Sequence, residues 1–275
     1  MIFSIVIPTR NRPHELARCL SQLAPGVQLL AADKYGVIVS DDSADGGAKG
    51  VTDAFPWVHY TAGPKGGPAA NRNHGAAQAC GSWLVFTDDD CVPDPNWLQG
   101  FYSKIQQQSA VKVWEGRVYA DRERRSCYET APLNESGGYL WSCNFAIDRA
   151  VFERAGGFDE RFRHAAMEDV ELRLRLDQAR VPIGFCPEAA VMHPWRAERN
   201  IRRARAIHRE SVLLFNSLHP GRAVQRGTRW RTLFRRVARD VWGDLGRFGW
   251  KAIAYHWTAS WCDIADIRKY PSGPR

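Results

Sequence analysis

Paired cysteines are missing from this chain: its seven (Cys19, Cys80, Cys91, Cys127, Cys143, Cys186 and Cys262) are odd in number, and no two stand as C-x-x-C. That spacing speaks against a disulfide framework or a cysteine-rich zinc site and fits a reducing cytoplasmic compartment. No window holds the roughly 18 continuous apolar residues of a membrane-crossing helix. The opening MIFSIVIPTRNRP carries neither a basic leader nor a small-residue cleavage site, so it reads as a strand rather than a signal peptide. The stretch Gly63 to Pro68 has glycines and a lysine but lacks the G-x-x-x-x-G-K-[ST] spacing of a phosphate loop. Internal repeats are also missing, and no low-complexity linker precedes residue 196. Residues 1–195 therefore read as one domain and 196–275 as an extension.

What is present is enough to bury a substantial core: 275 residues, 44% of them apolar and 25% charged. Charge is unevenly placed. Residues 1–195 hold 20 basic and 24 acidic side chains, whereas residues 196–275 hold 18 and 6. Such a division suggests chemistry in the front and an anionic contact at the back.

Phe3 to Ile7 is a β-rich apolar run, and Leu16, Cys19, Leu20 and Leu23 after it follow helical spacing, with Pro13 suited to the first turn. Val37 to Val39, Val58 to Tyr60 and Trp83 to Phe86 repeat the strand signal, the last after a small-residue helix over 68–79. Further strands are expected over 111–118, 139–147 and 183–193, and helices over 150–155 and 168–179. Alternation of this kind predicts an α/β fold with a doubly wound, mostly parallel sheet. Such sheets bind ligands beyond the carboxyl ends of their strands. Here those ends are Pro8-Thr9-Arg10-Asn11, Ser40-Asp41-Asp42-Ser43 and Thr87-Asp88-Asp89-Asp90.

Each polar cluster has two readings. On an extended segment Asp88 and Asp90 face one way and Asp89 another, a geometry that suits a hard cation such as Mn²⁺ or Mg²⁺; the same triplet also makes a solvated turn or a helix cap. Asp41 and Asp42 suit a uracil imide or ribose hydroxyls, or an Asx-turn. Arg72 suits a diphosphate, or a surface salt bridge. Glu168, Asp169 and Glu171 open a helix, where the dipole stabilises their charge; a carboxylate there could also take the proton of an attacking hydroxyl. His193 is either a metal ligand or structural.

Taken in order, Ser4-Ile5-Val6-Ile7-Pro8-Thr9-Arg10-Asn11-Arg12, Val39-Ser40-Asp41-Asp42-Ser43, Asn71-Arg72-Asn73-His74-Gly75-Ala76, Phe86-Thr87-Asp88-Asp89-Asp90, Gly156-Gly157-Phe158-Asp159 and Glu168-Asp169-Val170-Glu171-Leu172 resemble the inverting family-2 glycosyltransferases of GT-A fold over residues 2–195. The resemblance implies metal-dependent transfer of a sugar from a nucleotide donor, a UDP-sugar first among them, to a glycan, glycolipid or other hydroxyl acceptor. It implies that Thr9, Asp41 and Asp42 contact base and ribose and that Arg72 supports the phosphates, with Pro8, Arg10, Asp88 and Asp89 on the same donor side. Asp88 and Asp90 become the D-x-D pair, His193 a further metal ligand, and Asp169 the catalytic base. Glu168 and Trp141 become acceptor contacts.

The tail reads as basic helices. Arg202, Arg203, Arg205 and Arg209 precede an apolar stretch. Further on, Trp230, Leu233, Phe234, Val237, Val241 and Leu245 share a helical face, with Arg231, Arg235 and Arg239 along another. An anionic membrane surface at the inner face, a second copy of the chain, or the catalytic domain would each suit that pattern. Nucleic acid fits less well, since no recognition motif accompanies the arginines. A retaining transferase, a nucleotidyltransferase on a similar sheet and a tethered binding protein are the competing functions.

Overall fold

A computed structural model describes residues 1–198, 200–222, 244–253 and 255–256. The chain divides into two compact units, one of residues 1–121 and 132–194, the other of residues 122–131 and 195–275.

The first unit is built on strands β1 (Phe3–Thr9), β2 (Tyr35–Asp41), β3 (Val58–Ala62), β4 (Trp83–Thr87), β5 (Val92–Pro93) and β6 (Val113–Ala120). Strand β7 (Glu129–Thr130) belongs to the second unit, and β8 (Asn144–Asp148) and β9 (Ile183–His193) complete the first. The large sheet has the order β3-β2-β1-β4-β8-β6-β9-β5. Strands β3, β2, β1 and β4 run parallel, whereas β8 is antiparallel to both β4 and β6, and β9 returns parallel to β6. A parallel half joined to a mixed half is the GT-A arrangement, and the order switches direction between β1 and β4.

Helices cover both faces: α1 (Pro13–Leu23), the single turn α2 (Lys49–Thr52), α3 (Pro68–Ala77), α4 (Trp97–Gln107), α5 (Arg149–Ala155) and α6 (Glu168–Gln178). Period-two alternation divides β1 between two cores. Phe3, Ile5 and Ile7 pack with Leu16, Leu20 and Leu23 of α1, while Val6 packs on the other face with Ala69 and Ala76 of α3. Buried Leu and Phe side chains of this kind contribute roughly 1.5–3 kcal/mol each. The small residues of α3 let it approach the sheet closely. A Cβ at Gly75 would lie 2.7 Å from Val6 Cγ1.

One expected strand is shorter than the pattern predicts. Residues 139–143 are not part of β8; Leu140 has φ +50°, and Gly137 and Gly138 have φ +81° and +100°. The N–H groups of Gly138, Tyr139 and Leu140 turn away from a ladder because a buried carboxylate, Glu115, accepts them instead.

In the second unit β7 pairs antiparallel with β10 (Arg196–Ala197), and α7 (Ile201–Leu218) follows, its first turn capped by the Asn200 side chain accepting from Arg203 N. Arg122 pairs with Glu129 at 2.8 Å and holds that carboxyl down at about 2. Arg124 pairs with Asp244 at 3.1 Å, and His256 meets the same carboxylate at 3.0 Å. Residues 230–241 of the expected basic amphipathic helix lie outside the described residues. No helix among the described residues is long and apolar enough to cross a membrane.

Candidate active site

Parallel pairing aligns Thr9 of β1 with Asp41 of β2, and β4 ends beside them at Thr87. The switch between β1 and β4 opens at this edge, where α/β sheets place their ligands.

On the β2 side the two carboxylates first fix their own loops. Asp41 accepts from Ser43 N at 2.9 Å and Ala48 N at 3.0 Å. Asp42 accepts from Lys65 N at 2.9 Å and Gly67 N at 3.2 Å. The second pair requires close approach of loop and strand, since a Cβ at Gly63 would fall 2.4 Å from Asp42 Oδ1. Asn71 of α3 ties the same edge together by donating to the carbonyls of Ser40 and Thr9. Pro8 is buried in β1, whereas Arg10 is exposed.

The acidic triplet does not continue the strand. Cys91 N donates to Asp88 O at 3.1 Å, so a turn begins at Asp88, which faces Arg72, while Asp89 and Asp90 both approach Arg12 Nη1. The alternation expected to align Asp88 with Asp90 therefore stops at Thr87. Asp88 Oδ1 accepts from Arg72 Nη2 at 2.7 Å. Asp89 accepts from Thr9 Oγ1 at 2.8 Å and Arg12 Nη1 at 3.0 Å. Burial pushes the Asp89 carboxyl up to about 6, against the opposing pull of Arg12 and Thr9. Asp90 Oδ1 lies 3.6 Å from His193 Nε2, and Asp90 Oδ2 the same distance from Arg12.

His193 Nδ1 is 2.8 Å from Pro194 O. A carbonyl oxygen only accepts, so Nδ1 is the protonated nitrogen in this contact and Nε2 is the ring atom that faces Asp90. Ligand atoms of Asp90, Cys91 and His193 all lie within 4.8 Å of one another. A ring nitrogen and a carboxylate facing across that gap, with a thiol beside them, are a donor set that fits a divalent cation.

Arg72 joins this edge to α6. Its side chain is 3% exposed, and its guanidinium reaches Asp88 with one nitrogen and Glu168 Oε1 with the other, at 3.0 Å. Sequence spacing suggested a phosphate partner; the structure gives it two carboxylates. Phe158 closes the site beside it, its ring centroid 5.6 Å from the guanidinium carbon. Burial and the neighbouring Asp169 push Glu168 up to about 7, with Arg72 pulling the other way. Burial also raises Asp169, opposed by Arg72 and by hydrogen bonds from Ser142 N at 3.3 Å and Val170 N at 2.8 Å. Just ahead of Ser142, Trp141 donates to Leu133 O and stacks on Tyr139, which is 46% exposed.

Arg12 and Glu115 escaped the sequence reading. Arg12 looked like one more cation in a polar loop, and nothing local tells it from Arg10. Glu115 did leave a signal, being a carboxylate between Trp114 and Gly116 within the strand expected over 111–118.

Comparison with known proteins bears on the family and the fold. The model of "Glycosyl transferase family 2" matches residues 4–159. The chain is 26% identical over 255 residues to a validoxylamine A glucosyltransferase of Streptomyces hygroscopicus subsp. jinggangensis, covering 78% of this chain but 59% of that relative's length. It is 30% identical over 208 residues to the glycosyltransferase AglE of Haloferax volcanii, covering 70% of this chain and 67% of AglE. Among solved structures, S. aureus TarS 1-349 in complex with UDP superposes with a TM-score of 0.58 at 16% identity, covering 98% of this chain and 92% of that one. The UDP-GlcNAc complex of the same protein gives 0.58 at 15%, covering 99% and 93%. With the family model spanning more than half of its length and the sheet order following the same fold, this chain belongs to glycosyl transferase family 2.

Proposed function

We propose that the chain transfers a sugar from a nucleoside diphosphate donor, a UDP-sugar, to an acceptor hydroxyl with inversion at the anomeric carbon. The observation that carries this reading is the Arg72 bridge: one guanidinium brings the acidic triplet at the end of β4 and the carboxylates opening α6 to a single site. UDP in the TarS complexes supports the choice of nucleotide.

Asp169 is the base. It lies 8% exposed beside the acceptor-side loop, and its burial-raised proton affinity suits a group that must take up a proton. The acceptor oxygen forms its bond to the anomeric carbon while that carbon's bond to the diphosphate oxygen breaks. The hydroxyl proton passes to Asp169, and the electron pair leaves with the nucleoside diphosphate. Only one carboxylate is required, since the leaving group needs no protonation. Glu168, held by Arg72, orients the acceptor, and Trp141 offers it an apolar face.

Thr9, Asp41 and Asp42 sit where the base and ribose would lie. Each carboxylate retains acceptor capacity beyond its loop contacts. Asp90 and His193, with Cys91 beside them, would hold a divalent cation. Bound there, Mn²⁺ or Mg²⁺ supplies positive charge that stabilises the leaving diphosphate, and the imidazole favours Mn²⁺.

Replacing Asp169 with Asn tests the assignment. Transfer should fall by about 10²–10⁴, while UDP affinity measured by calorimetry stays within about twofold. Parallel loss of both would remove Asp169 as the base.

A further inference from the structure

Glu115 lies in the middle of β6, 2% exposed, where an apolar side chain would ordinarily sit. Its Oε2 accepts three consecutive backbone N–H groups: Gly138 at 2.8 Å, Tyr139 at 2.9 Å and Leu140 at 3.1 Å. Asn134 Nδ2 adds a fourth donor at 3.1 Å. Its other oxygen, Oε1, accepts from Arg173 Nη1 at 2.9 Å. Successive amides converging on one anion form a nest, a conformation that needs positive φ at several residues; Gly137, Gly138 and Leu140 supply it.

Two of the groups that Glu115 holds lead to the surroundings of Asp169. The nest fixes the loop whose next residues are Trp141 and Ser142, and Ser142 N donates to Asp169 Oδ2. Arg173 lies one turn along α6 from Asp169 itself. Among the described residues, the side-chain hydrogen bonds of Glu115 go to Asn134, to Gly138, Tyr139 and Leu140, and to Arg173, away from the β1, β2 and β4 ends where the donor would bind. We propose that Glu115 is a positioning residue for the acceptor half of the reaction, setting the Tyr139–Trp141 platform and the base Asp169 in register while leaving donor binding alone. The inference rests on Asp169 being the base.

The groups facing Asp169 are Arg72 from α3, Glu168 from its own helix and Cys143 from the loop, with Asp88 beyond Arg72. Ser142 N–H opposes the effect of burial on Asp169. If Glu115 no longer anchors the loop and that bond lengthens, Asp169 binds its proton more tightly and the acid limb of the kcat profile moves to higher pH.

Glu115→Gln keeps the size of the side chain but sets an amide N–H₂ against either the nest or Arg173. The expected result is a kcat lower by about ten- to a hundredfold, a higher acceptor KM, a donor KM and UDP Kd within about twofold of the parent, and an acid limb displaced upward. Arg173→Gln, which leaves the nest intact, should move the same quantities in the same direction by less. A merely structural role would lower the folded fraction and leave acceptor KM and acid limb in place; that result in either variant overturns the proposal, as does parallel weakening of UDP binding. Asp169→Asn measured alongside separates the two ideas. An inactive Asp169→Asn with an unmoved limb in Glu115→Gln removes Glu115 alone, whereas an active Asp169→Asn removes the base and Glu115's role with it.

Discussion

The carboxylates on the two sides of Arg72 are put to different uses by their surroundings. At the β2 end Asp41 and Asp42 are each bound to two backbone N–H groups, and their charge organises loops. At the start of α6, Glu168 and Asp169 are as deeply buried, and burial raises the proton affinity of both against the pull of Arg72. Residue type is the same in both places. What differs is the company each keeps: Asp41 and Asp42 are tied to loop amides, whereas Glu168 and Asp169 lie side by side against the single guanidinium of Arg72.

Arg72→Leu should break the contrast most severely. It leaves Asp88 and Glu168 facing each other without the cation between them, at a cost of about 3–5 kcal/mol in stability, read as a lower midpoint in urea unfolding. Arg72→Lys should recover part of that, since an ammonium carries the charge but cannot span both partners as the planar fork does.

A smaller effect belongs to Asp89. Its folded pKa of about 6 lies above the ordinary aspartate value, so the folded state binds this proton more tightly than the unfolded chain. The stabilising contribution is complete below about pH 4 and is lost as pH rises through about 6, on the order of 2–3 kcal/mol. In the presence of chelator, Asp89→Asn should flatten the dependence of unfolding free energy on pH between about 4 and 7. An unchanged slope would mean that Arg12 and Thr9 outweigh burial.

His193→Ala sharpens the same comparison from the metal side. UDP affinity with Mn²⁺ present should drop about tenfold, or about 1.4 kcal/mol, with little change in chelator. Equal affinity in parent and variant under both conditions would leave His193 a structural residue.

Strand ends and their order along the chain were legible because apolar runs in a parallel sheet are continuous and end abruptly in polar residues. Helix α1 was legible for the same kind of reason, its four buried positions following one face. Other features depended on partners distant in sequence. The turn at Asp88 that ends the alternation and the burial of Arg72 against Glu168, 96 residues away, have no local signature. The strand expected over 139–147 failed at its first half because Glu115 outcompetes a neighbouring strand for three amides, a competition that residue spacing does not encode.

The missing side chain at Gly75 has a consequence one helical turn away. With nothing between its backbone and Val6, α3 lies low on the sheet, and that standoff sets how far the guanidinium of Arg72 projects. A methyl group there would lift the helix by fractions of an ångström and draw the arginine off both carboxylates at once, so the gauge of the reaction centre is cut one turn further on, where α3 meets the sheet and no substrate arrives.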